Sequence, residues 1–240
     1  MFTGIVQGVA RVVAIQAREG LHTLRLQLPE GFDRELAIGA SVACDGVCLT
    51  VTERPAPNVA LFDVMAQTLS LTTLGALREG SGLNVERAAK EGAEVGGHPL
   101  SGHVDVSATI AEVRQPDNNH VVRFALPAPW MRYVFAKGYV GVNGCSLTVA
   151  DARRERDGSG WFEVWLIPET LRMTTFGAKG VGDAVHIEID RATQVVVDTV
   201  RDALDEKLGA LAPLLEAWAA ERGLDLTALP QGQGPRRTRP

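Results

Sequence analysis

The fold is decided by a seven-residue segment that occurs twice in the chain. It reads first as Asp45-Gly46-Val47-Cys48-Leu49-Thr50-Val51 and again, 98 residues later, as Asn143-Gly144-Cys145-Ser146-Leu147-Thr148-Val149. Asp-Gly and Asn-Gly between apolar residues are the strongest short-range signals of a β-hairpin with a two-residue turn. A hairpin that recurs at a fixed spacing indicates an internal repeat.

Further matches occur in the same order and extend the repeat over most of the chain. Thr3-Gly4-Ile5-Val6 matches Ser101-Gly102-His103-Val104, again at a spacing of 98, and Phe62-Asp63-Val64-Met65 is aligned with Phe162-Glu163-Val164-Trp165. Thr72-Thr73-Leu74-Gly75 matches Thr174-Thr175-Phe176-Gly177 at a spacing of 102. The larger spacing predicts a longer loop in the second copy, at residues 157–160. The chain is therefore predicted to be a tandem duplication with halves at 1–97 and 98–193.

Each half has the pattern of a small β-domain. Apolar and polar residues alternate over 24–28 and over 186–190, which is typical of half-buried strands. Many short strands separated by glycine turns predict a closed barrel in each half, and hence a mainly β fold. Short helical turns are predicted at 65–71 and 168–173, the second with Pro168 in its first turn, where proline is well tolerated.

The pattern becomes helical near residue 194 and stays so to residue 222. Pro213 is predicted to divide this segment into two pieces. Its apolar face either packs on the chain's own barrels or associates with copies in other subunits. Residues 223–240, rich in glycine, proline and arginine, are predicted to be a disordered tail. The apolar residues recur at every third or fourth position: Val196, Val200, Leu204, Leu208, Leu211 and Leu215.

Composition excludes several classes of protein. The 240 residues carry a net charge of −5, which disfavours both a nucleic-acid surface and docking on an anionic membrane. No apolar run is long enough for a spanning helix, and the first residues do not read as a signal peptide, so a cytoplasmic location is expected. Three cysteines, an odd number, do not suggest a disulfide framework, and their spacing does not favour a metal site.

The two halves differ at positions that carry reactive groups. The first half contributes a thiol and a hydroxyl, whereas the second contributes an imidazole, a carboxylate and an amine. These groups suit proton transfer and nucleophilic addition. The differing pairs are Cys48 and Ser146, Ser41 and Tyr139, Gly39 and Lys137, Ile5 and His103, and Ala88 and Asp190.

Structural explanations for the same residues remain open at this point. Cys48 can be a small buried apolar group, because free cysteines often are. Ser41 and Thr148 can satisfy backbone groups at strand ends. Lys137 and Asp190 can be solvated surface charges. His98 and His103 are five residues apart, which along a strand puts them on opposite faces and argues against a shared metal.

Several of these motifs resemble the riboflavin synthase family. They are residues 1–6, 46–52, 96–98, 101–105, 144–149 and 166–171, and the resemblance covers about residues 1–200. It implies two tandem six-stranded Greek-key β-barrels and a C-terminal α-helix that joins three subunits into a homotrimer. It implies no metal and no added cofactor.

The resemblance also implies an activity. Two molecules of 6,7-dimethyl-8-ribityllumazine would react in each active site; one donates a four-carbon unit and becomes 5-amino-6-ribitylaminouracil, and the other becomes riboflavin. In this family the site lies where the first barrel of one subunit meets the second barrel of its neighbour, so the groups of the two halves would meet across the subunit boundary. Association with lumazine synthase is a further expected partnership.

Site residues follow from the resemblance position by position. The expected catalytic residues are Ser41 and Cys48 in the first barrel, with His103, Thr148 and Asp190 in the second. Phe2 is expected to lie over a bound ring. One lumazine is expected to contact Gly4, Ile5, Val6, Cys48, Leu49, Thr50, Asp63, Val64, Met65, Ala66, Gln67 and Thr68. The other is expected to contact Gly102, His103, Val104, Lys137, Ser146, Leu147, Thr148, Trp165, Leu166, Ile167, Pro168, Glu169 and Thr170.

Three positions depart from the family pattern. Gln67 replaces a usual glutamate, Thr73 replaces a common asparagine, and Cys145 occupies a position that is usually aliphatic or small. The main alternative to an enzyme is a non-catalytic relative, resembling lumazine protein, that binds a lumazine or flavin as a chromophore. A flavin reductase would need a nicotinamide site, and no G-x-G-x-x-G fingerprint is present.

Overall fold

The two repeated segments form matching hairpins in the computed structural model, which describes residues 1–117 and 119–223. Both turn residues of each hairpin have positive φ: 46° and 83° at Asp45 and Gly46, and 46° and 75° at Asn143 and Gly144. Two positive φ angles define a type I′ turn, whose twist matches that of the flanking strands. The predicted hairpins are therefore confirmed.

Residues 8–87 form a closed barrel of six antiparallel strands. Around the barrel the order is β1-β2-β5-β4-β3-β6. Strands β3, β4 and β5 lie side by side and follow one another in sequence, and β2 lies next to β5. This arrangement is a Greek key. The strands are β1 (Gly8–Arg18), β2 (Leu21–Gln27), β3 (Ser41–Cys44), β4 (Val47–Ala56), β5 (Val59–Met65) and β6 (Gly82–Arg87).

Residues 106–189 form a second closed barrel in which each strand has the place of its counterpart in the first. The longer loop falls between β10 and β11, at the place the repeat predicted. A mainly β fold with two tandem six-stranded barrels is thus confirmed. The strands are β7 (Val106–Arg114), β8 (His120–Leu126), β9 (Tyr139–Val142), β10 (Cys145–Arg154), β11 (Gly160–Leu166) and β12 (Ala184–Ile189).

Strand register corrects one of the sequence matches. Val51 pairs with Phe62 in the first barrel, and its repeat partner Val149 pairs with Val164 in the second. The structural counterpart of Phe62 is therefore Val164, and the alignment of Phe62 with Phe162 was wrong by two residues. A shift of two keeps every side chain on the same face, so alternation alone could not detect it.

Strand β12 is buried on both faces, which the alternating pattern did not predict. His186 and Glu188 are 1% and 4% exposed, although their polarity indicated a solvent face. Both side chains are buried because both make hydrogen bonds: His186 to the first barrel and Glu188 to the segment that leads into β7.

One short helix follows the fifth strand of each barrel, where helical turns were predicted. They are α1 (Ala66–Leu71) and α2 (Pro168–Met173), and Pro168 is at the helix start. In each case a threonine, Thr72 or Thr174, then caps a short 3-10 turn by accepting a backbone N–H. These elements place residues 66–70 and 168–172 at corresponding ends of the two barrels.

The C-terminal segment contains two helices, α3 (Arg191–Leu208) and α4 (Ala212–Glu221). Pro213 lies in the first turn of α4, and the interruption at 209–211 matches the predicted break. The chain divides into two compact units, residues 1–194 and the part from Val195 onward. All six apolar residues of the predicted stripe are exposed by 46–62%. Residues 224–240, most of the predicted disordered tail, lie outside the described residues.

Candidate active site

Two short segments, residues 2–5 and 100–103, precede the barrels and pair with each other through Phe2 and Leu100. A buried glutamate of the last strand of each barrel anchors its own segment. Glu86 accepts hydrogen bonds from the Thr3 backbone N–H at 2.6 Å and the Gly4 N–H at 3.0 Å. Glu188 binds Ser101 and Gly102 in the same way, at 2.6 and 3.1 Å. Burial raises the pKa of Glu86, although these hydrogen bonds oppose the shift.

Each segment then crosses to the other barrel. The backbone N–H of Cys48 donates to the carbonyl oxygen of Gly102, and that of Ser146 donates to Gly4, both at 2.8 Å. Both glycines have positive φ, +76° and +81°, and a Cβ on either would lie within 2.6 Å of the Cβ of the facing residue. The expected ligand contacts grouped Gly4 with the first barrel and Gly102 with the second. In the structure, each of these glycines hydrogen-bonds the central strand residue of the other barrel.

The first face is defined here as the outer side of β3, β4 and the end of β5, together with α1. Ser41 pairs with Thr50 across the β3–β4 ladder, and Cys48 lies two residues from Thr50, on the same side. Asp63 is exposed and accepts a hydrogen bond from the Thr23 hydroxyl at 2.7 Å. Exposed side chains from β5 and α1 complete this face: Met65, Ala66 and Gln67, with the half-buried Thr68.

The second face is the equivalent outer side of β9, β10 and β11 with α2. Thr148 pairs with Tyr139, and Ser146 lies two residues from Thr148 on the same side. Glu169 is bound by Arg172 at 2.6 Å, which lowers the pKa of the carboxyl. The remaining outer residues are Trp165, Ile167 and Pro168, which are exposed, and the half-buried Thr170. A cavity of about 590 Å³ lies apart from the residues of this face and is lined by residues from 3–7 and 86–96.

Several expected contact residues point into the protein instead. Phe2 is 1% exposed and packs with Ala43, Cys48 and Leu100 on the outer side of β3 and β4, so its ring is covered within the chain rather than open to a ligand. The side chains of Val6, Leu49, Val64, Leu147 and Leu166 are buried as well. These residues can offer a ligand only their backbone groups.

The expected catalytic residues lie at different places in the structure: Ser41 and Cys48 on the first face, and Thr148 on the second. His103 is exposed and directly follows Gly102, whose carbonyl oxygen accepts a hydrogen bond from the Cys48 backbone N–H, so His103 is close to Cys48 within the same chain. Val104, an expected contact residue next to His103, is half buried and packs against the first-barrel core.

Asp190 has a structural role that the sequence did not reveal. Its carboxylate accepts hydrogen bonds from the backbone N–H and hydroxyl of Thr193, at 2.9 and 2.7 Å, and so caps the first turn of α3. Partial burial alone would raise the pKa of Asp190. The Thr193 hydrogen bonds, with a smaller electrostatic contribution from His98, outweigh burial and hold that pKa below its usual value.

Lys137 occupies a strained backbone position. Its φ is +72°, and its repeat counterpart Gly39 has φ +85°, with both backbone N–H groups bonded in the same way, to Val149 and Val51. A lysine where the fold suits glycine stores strain, which is typical of functional positions. The exposed Lys137 side chain thus remains a candidate ligand contact.

His98 was not among the predicted site residues, although it belongs to one of the motifs on which the resemblance rests, and it contacts Ser146 and Tyr139 of the second face. The His98 ring is 5% exposed, its Nδ1 atom lies 2.6 Å from the Ser146 hydroxyl, and it stacks on Tyr139 with 5.3 Å between ring centroids. The available signal in the sequence was a histidine directly after two glycines, Gly96 and Gly97.

The barrels also meet through a buried polar network with approximate two-fold symmetry. Asn84 donates to the carbonyl oxygen of Asn143 at 3.0 Å, and its counterpart His186 contacts the carbonyl oxygen of Asp45 at 2.7 Å. The backbone N–H of Thr73 donates to His186 Nε2 at 2.7 Å. The departure at Thr73 therefore belongs to this barrel contact and not to either face.

Two of the cysteines are unsuited to nucleophilic chemistry. Burial raises the pKa of the Cys44 thiol, and burial with the nearby Glu86 charge raises that of Cys145 to about 12. Both are core residues, which accounts for the departure at Cys145. Over residues 1–117 and 119–223, no group of three metal-ligating side chains is present.

The exchanged segments and paired faces define a double-barrel protein of the lumazine-binding class. A family model for the lumazine binding domain matches residues 3–88 and 101–190, one copy on each barrel. No helix in the described part of the chain combines the length and apolar character needed to span a membrane.

Curated relatives refine this class. The chain is 45% identical to riboflavin synthase of Escherichia coli over 88% of this chain and 97% of that protein. It is 40% identical to riboflavin synthase of Mycobacterium bovis over 85% of this chain and all of that protein. The chain therefore belongs to the riboflavin synthase family.

Solved structures of a more distant protein share the fold. LumP complexed with 6,7-dimethyl-8-(1'-D-ribityl) lumazine superposes with a TM-score of 0.69 at 21% identity, over 80% of this chain and all of that one. LumP complexed with riboflavin gives a TM-score of 0.70 at 22% identity, with the same coverage.

Proposed function

We propose that the chain is a riboflavin synthase that converts two molecules of 6,7-dimethyl-8-ribityllumazine into riboflavin and 5-amino-6-ribitylaminouracil. The observation that carries this proposal is the 45% identity over nearly the whole length of the Escherichia coli enzyme. The two faces add support, because a reaction between two identical molecules needs two similar binding surfaces.

The reaction needs proton transfers and carbon–carbon bond formation but no net oxidation. The atoms of two lumazines equal those of the two products, so no oxidant or reductant has to be supplied. A proton leaves the acidic 7-methyl group of one lumazine, and the other ring is activated by addition of a nucleophile. Holding the two rings in a fixed mutual orientation accounts for much of the expected acceleration.

The exchange of segments supports one grouping of the ligand contacts. In this proposal one lumazine binds Cys48 to Thr50, Asp63 to Thr68 and the crossing residues Gly102 to Val104. The other binds Ser146 to Thr148, Trp165 to Thr170 and the crossing residues Gly4 to Val6, with Lys137 nearby. Ser41 and Cys48 assist nucleophile addition to the lumazine on the first face, and His103 or a nearby group assists proton removal from the 7-methyl group of the other lumazine.

Assembly belongs to the same proposal. The exposed apolar stripe of α3 and α4 supports a homotrimer, because apolar side chains exposed along a helix are typically buried by a partner. In such an assembly the first face of one subunit meets the second face of its neighbour. We place the enzyme in the cytoplasm, where lumazine synthase is the expected partner.

The direct test is incubation of the purified chain with 6,7-dimethyl-8-ribityllumazine alone. Riboflavin and 5-amino-6-ribitylaminouracil are expected in equal amounts by chromatography, without any added cofactor. Tight binding without products would contradict the enzyme and favour the chromophore-binding alternative.

A further inference from the structure

Ser146 has a side-chain partner that its repeat counterpart lacks. The Ser146 Oγ atom accepts a hydrogen bond from the His98 backbone N–H at 3.1 Å and lies 2.6 Å from the ring Nδ1 of the same residue. No side chain within the described ranges hydrogen-bonds the thiol of Cys48. The two faces, equivalent in backbone, therefore differ in the chemistry of one central group.

The surroundings of His98 favour the neutral form of its ring and hold the ring in place. Burial lowers the pKa of the imidazole, while the charge of Asp190 acts in the opposite direction. Stacking on Tyr139 at an interplanar angle of 20° holds the ring plane. The buried Nε2 atom has no hydrogen-bond partner among the described residues, so Ser146 is the ring's one polar contact there.

A neutral imidazole beside a hydroxyl can accept the hydroxyl proton. Because the backbone N–H of His98 already occupies one acceptor position of Ser146 Oγ, the hydroxyl hydrogen is free to point to Nδ1. The same oxygen then faces the ligand with its remaining lone pair. The carboxylate of Asp190 favours the imidazolium that would form.

We propose that His98 is a positioning residue that works through Ser146 as a proton relay for the lumazine on the second face. The proton of the 7-methyl group passes to Ser146 Oγ, the Ser146 hydroxyl proton passes to His98 Nδ1, and the lumazine carries the negative charge. The lumazine on the second face is therefore the one deprotonated by this pair. This inference rests on the proposed function.

The test compares His98→Asn, Ser146→Ala and the double variant. Asparagine keeps a polar group near the position of Nδ1 but cannot take up the proton. Each single variant should lower kcat about 100-fold, a common contribution of a general base, with KM changed less than threefold. The double variant should be no slower than either single variant, because one relay is removed in all three.

A second readout follows the proposed step itself. Exchange of the 7-methyl hydrogens of bound lumazine with deuterated water, measured by NMR, should slow to the same degree as kcat in His98→Asn. Fluorescence titration of lumazine should still give two binding events per chain. A purely structural role of His98 would change binding or the melting temperature and leave exchange per bound lumazine unaltered.

The matched control is His120→Gln. His120 is another histidine of the second barrel with a buried Nε2 that lacks a partner in the described residues, and it lies on neither face. Its activity and exchange rate should equal those of the parent chain. Full exchange in His98→Asn, or effects of the two single variants that multiply, would overturn the relay. An inactive parent chain would instead refute the proposed function.

Discussion

Asp45 is a buried carboxylic acid at the contact between the barrels, whereas its counterpart is the neutral Asn143. It is 3% exposed, and burial raises its pKa to about 7, with the Asn84 backbone N–H acting in the opposite direction. A folded pKa above the unfolded value means that the folded state binds the proton more tightly. The associated stability is fully present below about pH 4 and is lost as pH rises through 7.

Asp45→Asn should remove this pH dependence, because asparagine keeps the acceptor for the Asn84 N–H without a charge. Relative to the parent chain, the variant should gain stability between pH 5 and pH 8.5, on the order of a few kcal/mol at most. Thermal unfolding at both values measures the difference. If parent and variant lose stability equally over this range, Asp45 does not ionise in the folded protein.

His186 contributes on the acid side of the same network. Burial is the main cause that lowers its pKa to about 4. The stability that depends on its neutral form is present above its unfolded pKa and is lost as pH falls through 4. The network that contains Asp45 and His186 is therefore best formed between about pH 4 and about pH 7, where Asp45 is protonated and His186 is neutral.

At the scale of elements, the crossing segment at Gly102 leaves no room for a side chain. A Cβ there would lie 2.6 Å from Cys48 Cβ and 2.8 Å from the Phe2 ring, and the φ of +81° disfavours any other residue. Gly102→Ala should therefore destabilise the fold by more than about 1 kcal/mol and abolish most turnover, since the segment must move.

Melting temperature and steady-state rate check this expectation, with Gly180→Ala as the matched control. Gly180 has open space around its Cβ position and is not among the glycines with positive φ. The control should differ from the parent by less than about 0.5 kcal/mol. An unperturbed Gly102→Ala chain would mean that the segment is not held as tightly as the contact suggests.

Local patterns were sufficient to predict most elements of this fold. The Asp-Gly and Asn-Gly turns, the alternation of β2 and the proline at the start of α2 each act within a few residues, so sequence alone exposes them. The exchange of residues 2–5 and 100–103 between barrels depends on contacts between residues 54 and 142 positions apart, Cys48 with Gly102 and Gly4 with Ser146, which no local pattern records. The burial of His186 and the bond between His98 and Ser146 were missed for the same reason.

At the scale of the whole molecule, the stripe on α3 and α4 is the surface that assembly is expected to bury. Val200 and Leu204 are 53% and 50% exposed in the single chain. Val200→Asp combined with Leu204→Asp should therefore yield smaller particles in sedimentation, because two charges would be desolvated at each helix contact.

The control is Asp202→Asn, an exposed change on the same helix that removes a charge and adds none. It should sediment like the parent chain. A trimer that persists in the doubly charged variant would show that other surfaces hold the subunits together.

The exchanged segments also affect the order in which tertiary contacts can form while the chain is being synthesised. Gly4 is translated 142 residues before its partner Ser146, so this contact can form only after the intervening chain has been made. Contacts this distant in sequence form slowly, and domains otherwise tend to fold as they leave the ribosome. The first barrel can close early, and its Glu86 can then bind Thr3 and Gly4, whereas the contact of Gly4 with Ser146 forms only after the second hairpin has been made. Residues 2–5 thus complete their contacts later than the barrel strands that follow them.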